Sequence, residues 1–255
     1  MAPNPPLIRL TAHTGGTGPT PGGVGGGEYA GAVAVNRLED LPFASTLRPH
    51  EGLLAADEDC EGAHFDGLDL DAPVAPRSRF LECAFTKVAV TGGSLRRARF
   101  SDVWLSAVRL TGVDLTDSTW SDAIVTGSSL AGVNAPGAQL RRVAFRGGKL
   151  DGVNLRAATL TDVTFDQCLL REVDFSGATL RRCTFPGSQL REVDFSQVTL
   201  EQVDLRGAEL GLIVTPGALR GATISPAQLA EIAPLLAEHA GLVVADATQS
   251  GTKPG

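Results

Sequence analysis

Four cysteines, four histidines and a spaced series of aspartates are the residues of this 255-residue chain that could carry chemistry. Zinc binding asks for Cys and His in short, paired spacings. Cys60, Cys83, Cys168 and Cys183 stand 23, 85 and 15 residues apart, which fits no such pattern. The histidines, His13, His50, His64 and His239, are scattered. None stands at a recognisable distance from a Cys, Ser or carboxylate that would pair a nucleophile with a base. The glycine tract at 15–27, GGTGPTPGGVGGG, contains neither GxGxxG nor GxxxxGK[ST] and reads as a linker. Gly147-Gly148-Lys149 reads as a corner of the chain rather than a phosphate site. No catalytic residue, cofactor site or metal ligand is expected, and the chain reads as a non-enzyme.

What recurs instead is acid. Asp114, Asn134, Asn154, Asp174 and Asp194 stand twenty residues apart, and Asp102, Asp122 and Asp162 form a second, broken series. If twenty residues make one turn of a coil, each series lines up on one face in steps of about 4.8 Å. A rod bearing such a ladder could imitate the phosphates of duplex DNA. Arginine cuts across the pattern at Arg77, Arg79, Arg97 and Arg99, and again at Arg141, Arg142, Arg181 and Arg182. Residues 61–212 carry 17 Lys or Arg against 19 Asp or Glu, so the long-range field is largely cancelled. The alternative reading is a set of solvated faces that suppress association at strand edges.

The elements that would position these charges follow from a period of five. From Phe65 to Leu210, 28 of the 30 positions divisible by five are Leu, Phe, Val or Trp; only Ala75 and Ala135 depart. All nine Phe after residue 60 keep this register. A helix repeats near 3.6 and a half-buried strand at 2, so an unslipped period of five implies a stacked repeat. Two residues before each large one the chain is small or β-branched, with 12 Val, 7 Ala, 4 Ser and 3 Cys. Both positions therefore point inward and the residue between them points out. The remaining two residues must turn the chain. Twelve of 15 Gly in 61–212 take the second position after the large residue, and three of four Pro take the first, the pattern of a type II turn. Phe pairs twenty apart, such as 65/85, 80/100, 145/165 and 165/185, point to four edges per coil. Cys83, Cys168 and Cys183 take the small inward position, as buried hydrophobes of a reducing compartment would.

These units, among them Val173-Asp174-Phe175-Ser176-Gly177 and Val203-Asp204-Leu205-Arg206-Gly207, resemble the pentapeptide-repeat family, whose consensus is A(D/N)LXX. The resemblance covers 61–212 and implies an all-β solenoid, a right-handed quadrilateral β-helix of about 7–8 coils of twenty residues. Its weakest stretch is 71–79, DAPVAPRSR, where a loop or distorted corner is expected. Some members of the family mimic DNA, bind DNA gyrase and protect it from quinolones or a toxin. The resemblance thus implies a gyrase-binding DNA mimic, with Asp114, Asp174, Asp194, Asp102, Asp122 and Asp162 as the candidate contact ladder. The alternative is a protein-interaction scaffold with another partner and no mimicry.

The ends depart from the register. Residues 1–28 read as a disordered Gly/Pro-rich tail and 29–60 as an irregular cap over the first coil. In 213–244, Ser225-Pro226 marks a helix start and Gly241 its stop. Leu229, Ile232, Leu235 and Leu236 would cap the rod or, by the family resemblance, pair two copies. Pro234 is expected to kink or split this helix, and 245–255 reads as a disordered tail. Net charge is −7 with a pI near 5.1, which speaks against direct nucleic-acid binding. With neither a long apolar run nor a secretory signal in view, a cytoplasmic protein without a membrane or cofactor partner is expected.

Overall fold

The fold is described from a computed structural model, in which residues 37–52, 54–213 and 218–244 are placed. The tails at 1–28 and 245–255, and the first part of the expected cap, lie outside these residues. Strands from Arg48–Pro49 to Thr199–Glu201 stack in parallel into one long sheet. Strands from Asp69–Asp71 to Glu209–Ile213 stack into a second. Nearly every pairing joins residues twenty apart, for example Phe80↔Phe100, Trp120↔Leu140 and Leu150↔Leu170. One turn of the coil therefore takes twenty residues, and one column, from Phe65 to Leu205, holds a large apolar residue in each of eight coils. The chain is a β-solenoid closed by a single C-terminal helix.

The interior is filled with apolar side chains and leaves only small cavities, one of about 40 Å³ beside Ala135. The register residues are buried through the rod except for the half-buried Leu70, Leu130 and Leu210, and Ala75 and Ala135 depart in size but not in direction. Phe145, Phe165 and Phe185 stack with ring centroids 4.9 and 5.0 Å apart. The small inward position is as tight, with Val103, Val143, Val163 and Cys183 fully buried. Inward serines satisfy themselves on the backbone: Ser188 accepts the Cys168 amide at 2.9 Å and donates to the Phe165 carbonyl at 2.8 Å. All four cysteines are buried and unbridged, and burial pushes the Cys83 and Cys168 thiols up to about 11.

The corners correct one expectation. Glycine is not needed at the second corner residue: among the described residues all 19 non-glycine residues with positive φ, from Asp57 to Gln202, occupy that phase. Their φ lies between 44 and 63°. Left-handed backbone costs a non-glycine residue roughly 1 kcal/mol or more, and the coil imposes it regardless. Eight corners close with a three-residue hydrogen bond, as Ala178 N to Phe175 O at 2.9 Å and Ser118 N to Leu115 O at 3.0 Å.

Residues 71–79 do not loop out. Asp71 pairs with Thr91, Val74 bridges Ser94 and Arg79 pairs with Arg99, all in register. Pro73 fits an inward position because Gly93, one coil on, has no side chain there. A Cβ at Gly93 would lie 2.4 Å from the Pro73 carbonyl oxygen.

The N-terminal segment does more than cover the first coil. Leu41 and Phe43 are buried against Ala84, Trp104 and Ile124, with Leu38, Ala44 and Leu47 at the margin. Those three rod residues are successive members of an outward column, twenty apart. Two short 3₁₀ turns, Leu38–Asp40 and Ala44–Thr46, thus strap one side of the rod. The chain then joins the coil, pairing Arg48 with Ala63 and Pro49 with His64, fifteen residues on.

At the other end the register slips by one. Arg191 pairs with Gly211 but Val193 with Leu212, and Val203 pairs with Ala222. Helix α1, Pro226–His239, then closes the rod. Ser225 caps it, accepting the Gln228 amide, and the Gln228 side-chain oxygen accepts the Ser225 amide in return. The buried Gln228 amide also donates to the Leu205 and Ala208 carbonyls at 2.6 and 2.7 Å, tying α1 to the last coil. Pro234 does not split the helix, which runs through it to His239.

Candidate partner-binding surface

Outward residues inherit the register of the core, so each outward phase forms a column. The first acidic series is such a column: Asp114, Asn134, Asn154, Asp174 and Asp194 bridge one another in order. It is not uniformly negative. Arg96 donates to Asp114 and Arg156 to Asp174, each at 3.1 Å. The Asn154 amide donates to the Asn134 side-chain oxygen at 2.8 Å, so the middle of the ladder is neutral. Asp174 and Asp194 also accept the amides two residues on, Ser176 at 2.8 Å and Ser196 at 2.7 Å. These bonds hold the carboxylates against their own corner.

The second series occupies left-handed corners. Its column reads Asp102, Asp122, Arg142, Asp162, Arg182, alternating in sign over its last four members. Arg142 grips Asp122 with both nitrogens at 2.5 Å, and Arg182 grips Asp162 at 2.6 and 2.8 Å. Asp102 is buried at 5% exposure. The guanidinium of Arg182 holds Asp162 below the usual carboxylate range. Elsewhere Arg77 clasps Asp57, Arg171 clasps Asp151 and Arg181 clasps Glu201, again one coil apart. Planar, bidentate geometry is what arginine offers a carboxylate.

These pairs tie the faces to pH. Arg171 and Lys149 pull Asp151 down to about 2 from an ordinary 3.8. A folded-state pKa below the unfolded one contributes stability that is complete above the unfolded value and lost as pH falls through the folded one. Thermal melts should therefore be flat above about pH 5 and fall steadily between about pH 4 and 2. An Asp151→Asn variant should lose part of that slope; a slope identical to the parent's would remove Asp151 from this account.

Helix α1 divides the candidate cap residues. Ile232 is buried and Leu235 packs on the core, whereas Leu229 and Leu236 are 49 and 39% exposed. Leu242, Val243 and Val244 extend this exposed apolar end. At the opposite end three residues come together that their spacing did not connect. The donor atoms of His50, Glu58 and Cys60 lie within 4.8 Å of one another. Burial, then the nearby Glu58, pushes the Cys60 thiol up to about 12. A signal existed: 50 and 60 are themselves multiples of five, and 58 takes the small inward phase.

A family model described as a pentapeptide repeat region matches residues 126–195. Residues 126–195 of this β-solenoid thus match a pentapeptide repeat region. No curated protein matches its sequence. Among solved structures, HetL, a pentapeptide-repeat protein involved in heterocyst differentiation regulation in Nostoc sp. strain PCC 7120, is 18% identical. It covers 68% of this chain and 92% of its own, with a TM-score of 0.41. A trypsin-treated form of QnrB1, a plasmid-mediated fluoroquinolone resistance protein, is 22% identical over 77% of this chain and 96% of its own, with a TM-score of 0.34. Rfr23 from the cyanobacterium Cyanothece 51142 is 19% identical over 59 and 90%, with a TM-score of 0.19. Among the described residues no helix is long and apolar enough to cross a membrane.

Proposed function

We propose that this protein is a non-enzymatic scaffold that binds a protein partner through the rigid, charge-patterned columns of its rod. The observation that carries this reading is the pairing of acid with arginine one coil along, at Asp122–Arg142, Asp162–Arg182 and Asp151–Arg171. Such clasps fix the outward side chains in place, which suits recognition of a specific complementary surface. They also cancel the continuous negative potential that a duplex-DNA mimic would present. The interior is filled with Leu, Val and Phe, so a substrate pocket has no room there.

Binding to DNA gyrase is the sharper alternative, motivated by the rod and by the acidic members Asp114, Asp174 and Asp194. Gyrase supercoiling by purified protein, with and without a fluoroquinolone, separates the two. We expect neither inhibition nor protection at micromolar protein; a dose-dependent effect lost in an Asp174→Lys variant would replace the scaffold reading with mimicry.

Association of two copies through α1 belongs to the same proposal. Leu229 and Leu236, seven residues apart, share one exposed helix face, and Leu242, Val243 and Val244 beyond the helix are exposed too. A Leu229→Glu, Leu236→Glu double variant should elute as a monomer where the parent elutes as a dimer, with melting little changed. A parent that is already monomeric by light scattering would sink this part alone.

A further inference from the structure

The coil below Phe65 breaks the chemical rule of the rod. His50 lies over Phe65, with ring centroids 4.4 Å apart, and its amide donates to the His64 carbonyl at 2.9 Å. It therefore takes the inward place that Phe65 and Phe85 hold in the coils above. Cys60 pairs with Phe80 and takes the place of Phe80 and Phe100. Glu58 stands twenty residues before the inward Ser78, and its carbonyl accepts the Arg79 amide at 2.8 Å. Three inward positions that are apolar or small along the rod thus become imidazole, carboxylate and thiol at its end.

Their geometry is that of a ligand set. The Nε2 of His50 is buried and makes no hydrogen bond. Glu58 Oε1 is the carboxylate atom facing it, at 4.0 Å. The other oxygen, Oε2, accepts the Ala55 amide at 2.7 Å, which fixes the carboxylate's direction. Space before Nε2 is kept open by Gly52, where a Cβ would sit 3.2 Å from that nitrogen. A shallow cleft lined by Arg48, Glu58, Cys60 and Glu61 connects the group to solvent.

We propose that His50, Glu58 and Cys60 bind a divalent cation of the zinc class and thereby seal the N-terminal end of the hydrophobic core. The donor set decides the class: one nitrogen, one sulfur and one oxygen suit zinc and its transition-metal neighbours, whereas calcium and magnesium take oxygen ligands. Tetrahedral bond lengths put ligand atoms about 3.3–3.7 Å apart. The observed spread needs only about 1 Å of contraction, and water completes the fourth position. On binding, the thiol gives its proton to solvent and the thiolate and carboxylate together balance the two positive charges. The ion would leave a neutral group over Phe65 and Phe80 in place of an open polar end.

The test uses the full chain, stripped with a chelator and titrated with Zn²⁺ against a chromophoric competitor. One equivalent should bind, and the melting temperature should rise. Co²⁺ should give a thiolate-to-metal charge-transfer band and tetrahedral visible bands. Cys60→Ser should abolish that charge-transfer band, and His50→Gln should weaken Zn²⁺ binding at least about tenfold. Cys83→Ser and His64→Gln should bind like the parent. Should Cys60→Ser or His50→Gln fail to fold, the isosteric Glu58→Gln carries the affinity measurement. Absence of a tight equivalent in the parent overturns the proposal. So does binding that survives Cys60→Ser and His50→Gln, or Glu58→Gln where those do not fold, which would place the metal elsewhere on the chain.

Discussion

Phe165→Asp should leave no cooperatively folded rod at 25 °C. Phe165 is fully buried, stacked between Phe145 and Phe185 and in edge contact with Phe175 at 6.3 Å. Removing a buried Phe ring alone costs about 3–5 kcal/mol. An aspartate adds a carboxylate with no partner in the core, which costs several kcal/mol more or forces it to stay protonated. Natural domains have about 5–15 kcal/mol in total. The site lies mid-rod, and each coil is supported only by its neighbours, so failure there separates the two halves. Circular dichroism should show the β signal lost, and limited proteolysis should cut near the substitution. Phe165→Leu, which installs the residue most common at this phase, should melt as a folded protein. If Phe165→Asp melts like the parent, the inward assignment of the register is wrong.

The second large effect is expected at Gly93. An alanine there would place its Cβ 2.4 Å from the Pro73 carbonyl oxygen and 2.6 Å from the Pro73 nitrogen and Cδ. None of these atoms is the free end of a flexible side chain, so two coils would have to part. The backbone at Gly93 also has φ +84°, where any side chain is strained. Together these should cost on the order of 3 kcal/mol or more. Gly112 provides the contrast. Its φ is +63° but nothing lies within 4 Å of an added Cβ, and Ala107 and Ala157 already occupy its corner phase. Gly112→Ala should cost only about 1–2 kcal/mol. Equal denaturation midpoints for the two variants would refute the crowding at Pro73.

The contrast between these glycines marks what could be read from the chain. The five-residue register, the inward pair and the twenty-residue columns follow from side-chain type alone, because burial selects the type at each phase. Corner glycine is over-read for the same reason: the fold needs left-handed backbone at this phase, but Arg142, Asp162 and Arg182 supply it while serving as ion-pair partners. The side strap escapes a reading by register, although its trace is present. Ala84, Trp104 and Ile124 are apolar residues in a phase that is elsewhere mostly polar, and Phe43 is the one Phe outside the register. The His50–Glu58–Cys60 group needs the register extended below Phe65, where a turn takes fifteen residues rather than twenty.

The acidic ladder shows the opposite limit. Its alignment is legible, since columns follow from the period. The cancellation of its field is legible too, from the charge count, but the individual pairings are not, because the arginines that clasp Asp122 and Asp162 sit twenty residues away, at the same phase as the acids they neutralise. Only the coil pitch brings each guanidinium onto the carboxylate one turn below.

The slip at Gly211–Leu212 has a consequence for self-assembly. A parallel solenoid with open ends is a template: a further strand could add to its last coil and grow a fibre. Growth requires the newcomer to continue the twenty-residue phase. After the slip, residues pair nineteen apart, as Val193 with Leu212 and Val203 with Ala222, and an added coil in the old phase would set inward residues over outward ones. One missing residue, followed by the Gln228 clamp of α1 on the last carbonyls, thus opposes the addition of a further coil at this end.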